Sequence, residues 1–407
     1  MTNLYITSQM MGMSYGVTPP STLEEKIEWL QLIRSSNVGP ITFYKLLQYY
    51  GSARNALGAL PSLAKSGKSK IDIFPKKEAE KELKALEKFG AQLIARGEEH
   101  YPPLLAHIDD APPLLQVMGN PAFLKKRTVA IVGARNASAN GRNIAQDLAR
   151  ELGQSGFLIA SGMARGIDTA AHEGALATGT IAAVAGGLDI IYPRENTKLY
   201  QAIREQGVMV SEMPLGSEPQ ARHFPRRNRI VSGMSRGVIV IEASLKSGSM
   251  ITARLAQEQG RETLAVPGSP LDPRSKGGNQ LIKQGASLIE TALDVIEALE
   301  RPFDPPVISR TPQTAQEIFL PGLVAEPVTK SFTEERLDPA SKKKNLSPSD
   351  DDARLYVKEL LGPSAVCVDD LLRQSRLSPA ELNSILLEFE LAGLVEWQPG
   401  NRVALIS

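Results

Sequence analysis

The chain has one cysteine, Cys367, in 407 residues, and only four histidines. A single thiol cannot close an intrachain disulfide, which fits a reducing compartment. No run of eighteen or more apolar residues is present, so no membrane span is expected. The opening MTNLYITSQMMGMSYG lacks the basic start and apolar core of a secretory signal. A cytoplasmic, soluble protein is expected. Excess charge of one sign is also missing, since 46 Lys and Arg face 45 Asp and Glu. Any affinity for a polyanion must then come from where charges sit, not from their sum.

Several chemical signatures are absent as well. His100, His107, His172 and His223 are scattered and, with the lone cysteine, form no metal-ligand spacing, so no metal is expected. No G-x-G-x-x-G follows a strand, which disfavours a dinucleotide, and no cofactor is expected. Gly67-Lys68-Ser69 has Ser62 where a phosphate loop needs glycine. No serine sits in a G-x-S-x-G elbow.

Against this background one stretch stands out. Residues 222–237, RHFPRRNRIVSGMSRG, hold five arginines, a histidine and a phenylalanine without a carboxylate. Guanidinium forks match phosphate oxygens and stack on bases. Phe224 beside His223 adds π-faces, and a base stacked on an aromatic ring gains about 1–3 kcal/mol in single-strand binders. Interleaved basic and aromatic residues suit single strands better than duplexes, whose base faces are hidden. The structural alternative pairs some of these arginines with Glu212, Glu242 or Glu258. Both readings have room, with residues 223–228 facing nucleic acid and 229–237 turned inward.

Residues 1–21 read as a flexible lead-in. Residues 22–105 read as a small helical domain of sterile-alpha-motif or helix-hairpin-helix type, with an Asn-Val-Gly-Pro turn between two amphipathic segments in 35–52. Residues 106–301 alternate short apolar runs with helical patterns. TVAIVG (128–133), FLIASG (157–162), TIAAVAGG (180–187), VMVSEMP (208–214), GVIVIEAS (237–244) and TLAVPG (263–268) predict the strands of a doubly wound, Rossmann-like parallel α/β domain. Residues 302–350 carry eight prolines and read as a linker. Residues 351–407 read as a winged helix, in which Ser378-Pro379-Ala380-Glu381 opens the third helix and LVEWQPGNRVALI forms the wing.

Glycines recur where the predicted strands end, in VGARNASANG (132–141), SGMARGID (161–168) and AGGLDIIYP (185–193), and after the fifth strand in SLKSGSMITA (244–253). They let backbone N–H groups and helix N-termini approach an anion, so a phosphate-binding edge is expected. Asp189, Glu212 and Glu242 also stand at strand ends. They serve either as acid and base or as acceptors for helix N-termini and arginines, and the second reading is favoured because no nucleophile accompanies them. In the winged helix, the third helix carries Glu381, Glu388 and Glu390 and no basic residue. A protein-docking or self-interaction role is expected over a duplex reader.

Taken in order, VGAR (132–135), SGMARGIDTAAHEGAL (161–176), AGGLDIIYPREN (185–196), HFPRRNRIVSGMS (223–235), EASLKSGSMITA (242–253) and VPGSP (266–270) resemble the DprA/Smf family. The resemblance implies a non-catalytic, dimeric single-stranded DNA binder that loads the RecA recombinase in natural transformation and cooperates with single-strand-binding protein. Carried onto matching positions, the DNA contacts would be Arg135, the loop with Gly162, Ala164, Arg165 and Gly166, then Phe224, Arg226, Arg227 and Asn228, and the loop of Lys246, Ser247, Gly248 and Ser249. Ala134 stands where many relatives have serine, which removes a hydroxyl contact. Residues 281–299 and the end of the sixth strand are candidate dimer surfaces. Two alternatives remain. A nucleoside-monophosphate phosphoribohydrolase would use a similar edge, although SGSMITA (247–253) lacks its P-G-G-x-G-T signature. A mononucleotide-sensing regulator would use the glycine edge alone.

Overall fold

The computed structural model describes residues 18–66, 72–300, 353–355, 357–358, 361, 365–375 and 377–406. Most of the lead-in, all of the expected linker, and Gly67, Tyr356 and Leu360 lie outside the described residues.

Four helices form the N-terminal module: α1 (Leu23–Arg34), α2 (Pro40–Tyr50), α3 (Ala53–Ser66) and α4 (Lys76–Phe89). Thr22 and Glu25 cap α1 reciprocally, satisfying N–H groups that a helix start leaves open. Pro40 opens α2, where its missing N–H costs nothing. Trp29, Phe43 and Tyr44 pack edge to face with centroids 5.0 and 5.4 Å apart. Around them Leu30, Leu32, Leu46 and Leu60 are fully buried.

A nine-stranded sheet forms the centre: β1 (Ala91–Ala95), β2 (Leu114–Gly119), β3 (Thr128–Gly133), β4 (Leu158–Ser161), β5 (Thr180–Ala183), β6 (Val208–Ser211), β7 (Gly237–Ile241), β8 (Glu262–Ala265) and β9 (Ser287–Leu288). Their order is β1-β2-β6-β5-β4-β3-β7-β8-β9, parallel from β6 to β9 and antiparallel at β1-β2-β6. Helices α5 (Ala139–Gln154), α6 (Ile167–Ala175), α7 (Thr197–Gln206), α8 (His223–Gly233), α9 (Gly248–Glu258), α10 (Lys276–Lys283) and α11 (Ala292–Glu300) complete the doubly wound layers. Two separate apolar cores lie against this sheet, so its strands read as apolar runs, not alternations. The order reverses between β3 and β7, and the crevice beyond their carboxyl ends is where such sheets take ligands.

The antiparallel pair departs from expectation. Gly90 (φ 81°) stops α4, and the chain turns at once into β1, which pairs Ala91 with Met118 and Ala95 with Leu114. The stretch 91–95, assigned to the helical module by its sequence, is thus the edge of the central sheet. The two modules are tied there as well, because Arg34 pairs with Glu82 at 2.8 Å and donates to the Glu212 carbonyl at 3.1 Å.

The C-terminal module is a winged helix with α12 (Val368–Ser375), α13 (Pro379–Leu391) and the strands β10 (Val366–Cys367), β11 (Val395–Gln398) and β12 (Arg402–Leu405). Ser378 and Glu381 form the expected capping box. The wing gains a third strand, because β10 pairs with Arg402 and Val403.

Within α6, His172 is fully buried and its Nδ1 lies 2.8 Å from the Thr180 hydroxyl. Burial, reinforced by the Arg227 charge, pulls its pKa from 6.5 down to about 3. The unfolded imidazole therefore binds a proton between those values while the folded one does not, so folding stability falls as pH drops through this window. The expected slope is up to ~1.4 kcal/mol per pH unit. Urea melts at pH 7, 6 and 5 should show that decline, and His172→Gln should flatten it; parallel curves for the two proteins would disprove the assignment.

Candidate nucleic-acid interface

Residues 223–233 of the arginine-rich stretch form a helix, α8. Pro225 occupies the third position of α8, where a backbone N–H has no partner within the helix. Helical geometry then sorts the side chains by face. Arg222 and Arg226, one turn apart, are exposed, while His223, Arg227 and Arg229 are buried. The expected division at residue 228 is replaced by a division around the helix. Arg229 faces inward and pairs with Glu212, and with Asp110 at 3.3 Å.

Arg227 is the inner anchor. Only 6% exposed, it donates through Nη1 to the carbonyls of Gly162, after β4, and of Ala183, at the end of β5 (the latter at 2.7 Å). Its Nε donates to Asn228 at 3.1 Å. Burial lowers its pKa to about 10, so it stays cationic at neutral pH. A Cβ on Gly162 would fall inside this guanidinium, which is why that position has no side chain. Arg227 was expected to reach DNA directly; it lines the cavity, but its Nη1 is held by two carbonyls.

The neighbouring loop also differs from expectation. The backbone N–H groups of Gly162 and Ala164 donate to Asp168 at 3.1 and 3.3 Å, so an internal carboxylate holds donors foreseen for an anion. Burial raises the pKa of Asp168, while the Arg227 charge opposes that rise.

Arg135, Gly162, Ala164, Arg165, Phe224 and Arg227 line one cavity of ≈ 420 Å³, together with Tyr192 and Arg194. The Arg135 guanidinium sits 5.3 Å from the centre of the Phe224 ring, and the half-exposed Tyr192 ring lies 5.7 Å from that of Phe224. A second cavity of ≈ 410 Å³ shares Arg135 and Arg165 and adds Gly166, Arg142, Thr169 and Asn196. Arg135 borders both. Burial, Arg222 and Arg226, in that order, hold His223 below the usual imidazole range, as a positive local field requires.

Lys246, Ser247, Gly248 and Ser249 line neither cavity. They lead into α9, and Asn228 Nδ2 donates to the Gly248 carbonyl at 3.4 Å. Arg226 is exposed beside the cavities without lining them. Sequence reasoning missed Tyr192 and Arg194, although YPREN continues a quoted glycine segment, and it missed Arg142 and Asn196. Arg142 lies one turn inside α5, past the loop that drew attention.

The three strand-end carboxylates have structural partners. Glu242 accepts from the Ser138 backbone N–H at 2.8 Å and from its hydroxyl, at the start of α5. Asp189 accepts from the Gly216 N–H at 2.8 and 2.9 Å. Glu212 meets Arg229.

The comparisons with known proteins cover all three modules. A family model for DNA recombination-mediator protein A matches residues 92–300. A DprA-like N-terminal HHH domain matches 23–85, and a DprA winged helix domain matches 340–401. Protein Smf of Escherichia coli is 37% identical over 338 residues, 82% of this chain and 82% of that protein. DNA processing protein DprA of Bacillus subtilis is 44% identical over 220 residues, 53% of this chain and 74% of that one. The X-ray structure of DNA processing protein A from Streptococcus pneumoniae superposes with a TM-score of 0.57 at 32% identity, covering 68% of this chain and 98% of that one. With the model spanning the central sheet and the E. coli relative spanning most of the chain, the protein belongs to the DNA recombination-mediator protein A (DprA/Smf) family.

Proposed function

We propose that this chain binds single-stranded DNA without cleaving it and acts as a recombination mediator, loading RecA onto incoming strands in cooperation with single-strand-binding protein during natural transformation, in the cytoplasm. One observation carries the binding reading: Arg135 stands against the Phe224 ring at the boundary of two arginine-lined cavities, with Tyr192 as a second ring. Cation and aromatic face together suit a phosphate followed by an unpaired base. The exposed Arg222 and Arg226 extend the positive edge along α8. Against a phosphoribohydrolase stands Glu242, whose carboxylate caps α5. Base release from nucleoside monophosphates, lost in Glu242→Gln, would favour the enzyme.

The protein is further proposed to act as a homodimer through the edge at β9, where Leu288 and Leu293 are 50% and 61% exposed. Replacing both with lysine should give a monomer by sedimentation; an unchanged dimer mass would place the interface elsewhere.

Mobility shifts with single-stranded and duplex DNA of one sequence should favour the single strand. Phe224→Ala should cost about 1–3 kcal/mol of single-strand affinity and leave its salt dependence intact. Arg135→Ala and Arg226→Ala should each flatten the slope of log affinity against log salt by about 0.7. Wild-type affinity and slope in all three variants would sink the reading.

Arg227→Met should behave differently. Loss of its links to Gly162 and Ala183 should lower folding stability by about 3 kcal/mol, seen as a lower urea midpoint at constant m, together with weaker binding. A binding loss without any stability loss would make Arg227 a direct DNA contact.

A further inference from the structure

Helix α13 is apolar on more of its circumference than a winged helix requires. Leu382, Ile385, Leu386 and Phe389 enter the winged helix's own core. Leu387 and Leu391, one turn apart, do not; at 5% and 1% exposure they join the core that contains α1 to α4. Polar contacts surround this pair. Glu390 accepts from Thr42 Oγ1 at 2.8 Å and from Lys45 Nζ at 3.2 Å. Trp397 Nε1 donates to the same carboxylate at 2.8 Å, and the Lys45 ammonium lies 3.3 Å from the centre of the Trp397 ring. Asn37, in the turn before α2, donates to the Leu391 carbonyl at 3.1 Å, filling an acceptor that a helix end leaves open. Glu388, the remaining acid of this turn, goes to Arg354 of the winged helix at 2.7 Å.

A helix that reads the major groove carries basic and polar side chains on its outer face. Here that face offers two leucines and a carboxylate, and the matching leucine-rich module offers Lys45, Thr42 and Asn37. The charge signs complement each other, and the apolar cores are continuous. We propose that α13 is a protein-docking helix whose occupant is this chain's own N-terminal helical module, so that α13 is closed to duplex DNA. Residues 301–352 connect the central domain, to which the helical module is joined, to the winged helix. Because both modules belong to one chain, a contact too weak to hold separate molecules can hold here.

Charge reversal in the full chain tests this. Lys45→Glu places like charges together, which should shift the closed-to-open ratio roughly tenfold or more towards open. The radius of gyration from small-angle scattering should rise, and acrylamide should quench fluorescence more strongly, since Trp29 is buried and Trp397 reports the contact. Adding Glu390→Lys should restore compactness. No change on Lys45→Glu, or no rescue in the double variant, overturns the pairing. A contact that vanishes on dilution assigns the occupant to a second copy and overturns it as well. A fall in duplex affinity on replacing the exposed Asn383 of α13 with Asp would make α13 a DNA reader, with the same consequence.

Discussion

A single buried cation organises this site. Arg227 brings a full charge under the ends of β4 and β5, a costly placement unless its donors and its charge are matched. Both are. The carbonyls of Gly162 and Ala183 accept from its Nη1, the Asn228 side chain accepts from its Nε, and the Asp168 charge favours its cationic form. The rest follows from that arrangement. Gly162 has no space for a side chain, the Gly162–Ala164 turn is held from below by Asp168, and α8 is fixed in rotation about its axis. With Arg227 inward, helical spacing sends Arg222 and Arg226 outward and sets Phe224 at the lip. The charge proposed to bind and the charge that builds therefore sit on one helix, separated by its faces.

Much of this organisation is legible in the residues. The capping boxes at Thr22 and Ser378, the glycine-punctuated strands and the wing follow from local chemistry that tertiary packing did not override. The structural roles of Asp189, Glu212 and Glu242 follow from the lack of a nucleophile beside them. The arginine stretch was harder because Pro225 and an uncapped start conceal a helix; without that helix, it was divided along the chain instead of around an axis. The internal use of the Gly162 and Ala164 N–H groups was hidden too, since nothing in SGMARGID says whether Asp168 turns towards solvent or back to its own loop. Five residues at β1 are too short to announce a strand without their partner β2. Lys246 to Ser249 share the glycine signature of the site yet line neither cavity, a distinction that only the folded loops reveal.

The two cavities bear on what kind of polyanion fits. Duplex DNA meets a protein as a convex rail of phosphates, and a flat or grooved basic face serves it well. Here the cations stand around two concavities parted by Arg135, and the aromatic rings of Phe224 and Tyr192 line one of them. A concavity walled by rings gains little from a rail of phosphates, while an unpaired base can enter it and stack. The chain's near-zero net charge points the same way: with no long-range field over the molecule, selectivity rests on these short-range contacts. In the proposed docking, the acidic and apolar α13, paired with Lys45 of the helical module, leaves no competing surface for duplex. The proposed preference for a single strand thus has two sources, the rings placed at the basic groove and a winged helix whose outer face packs on the chain's own helical module.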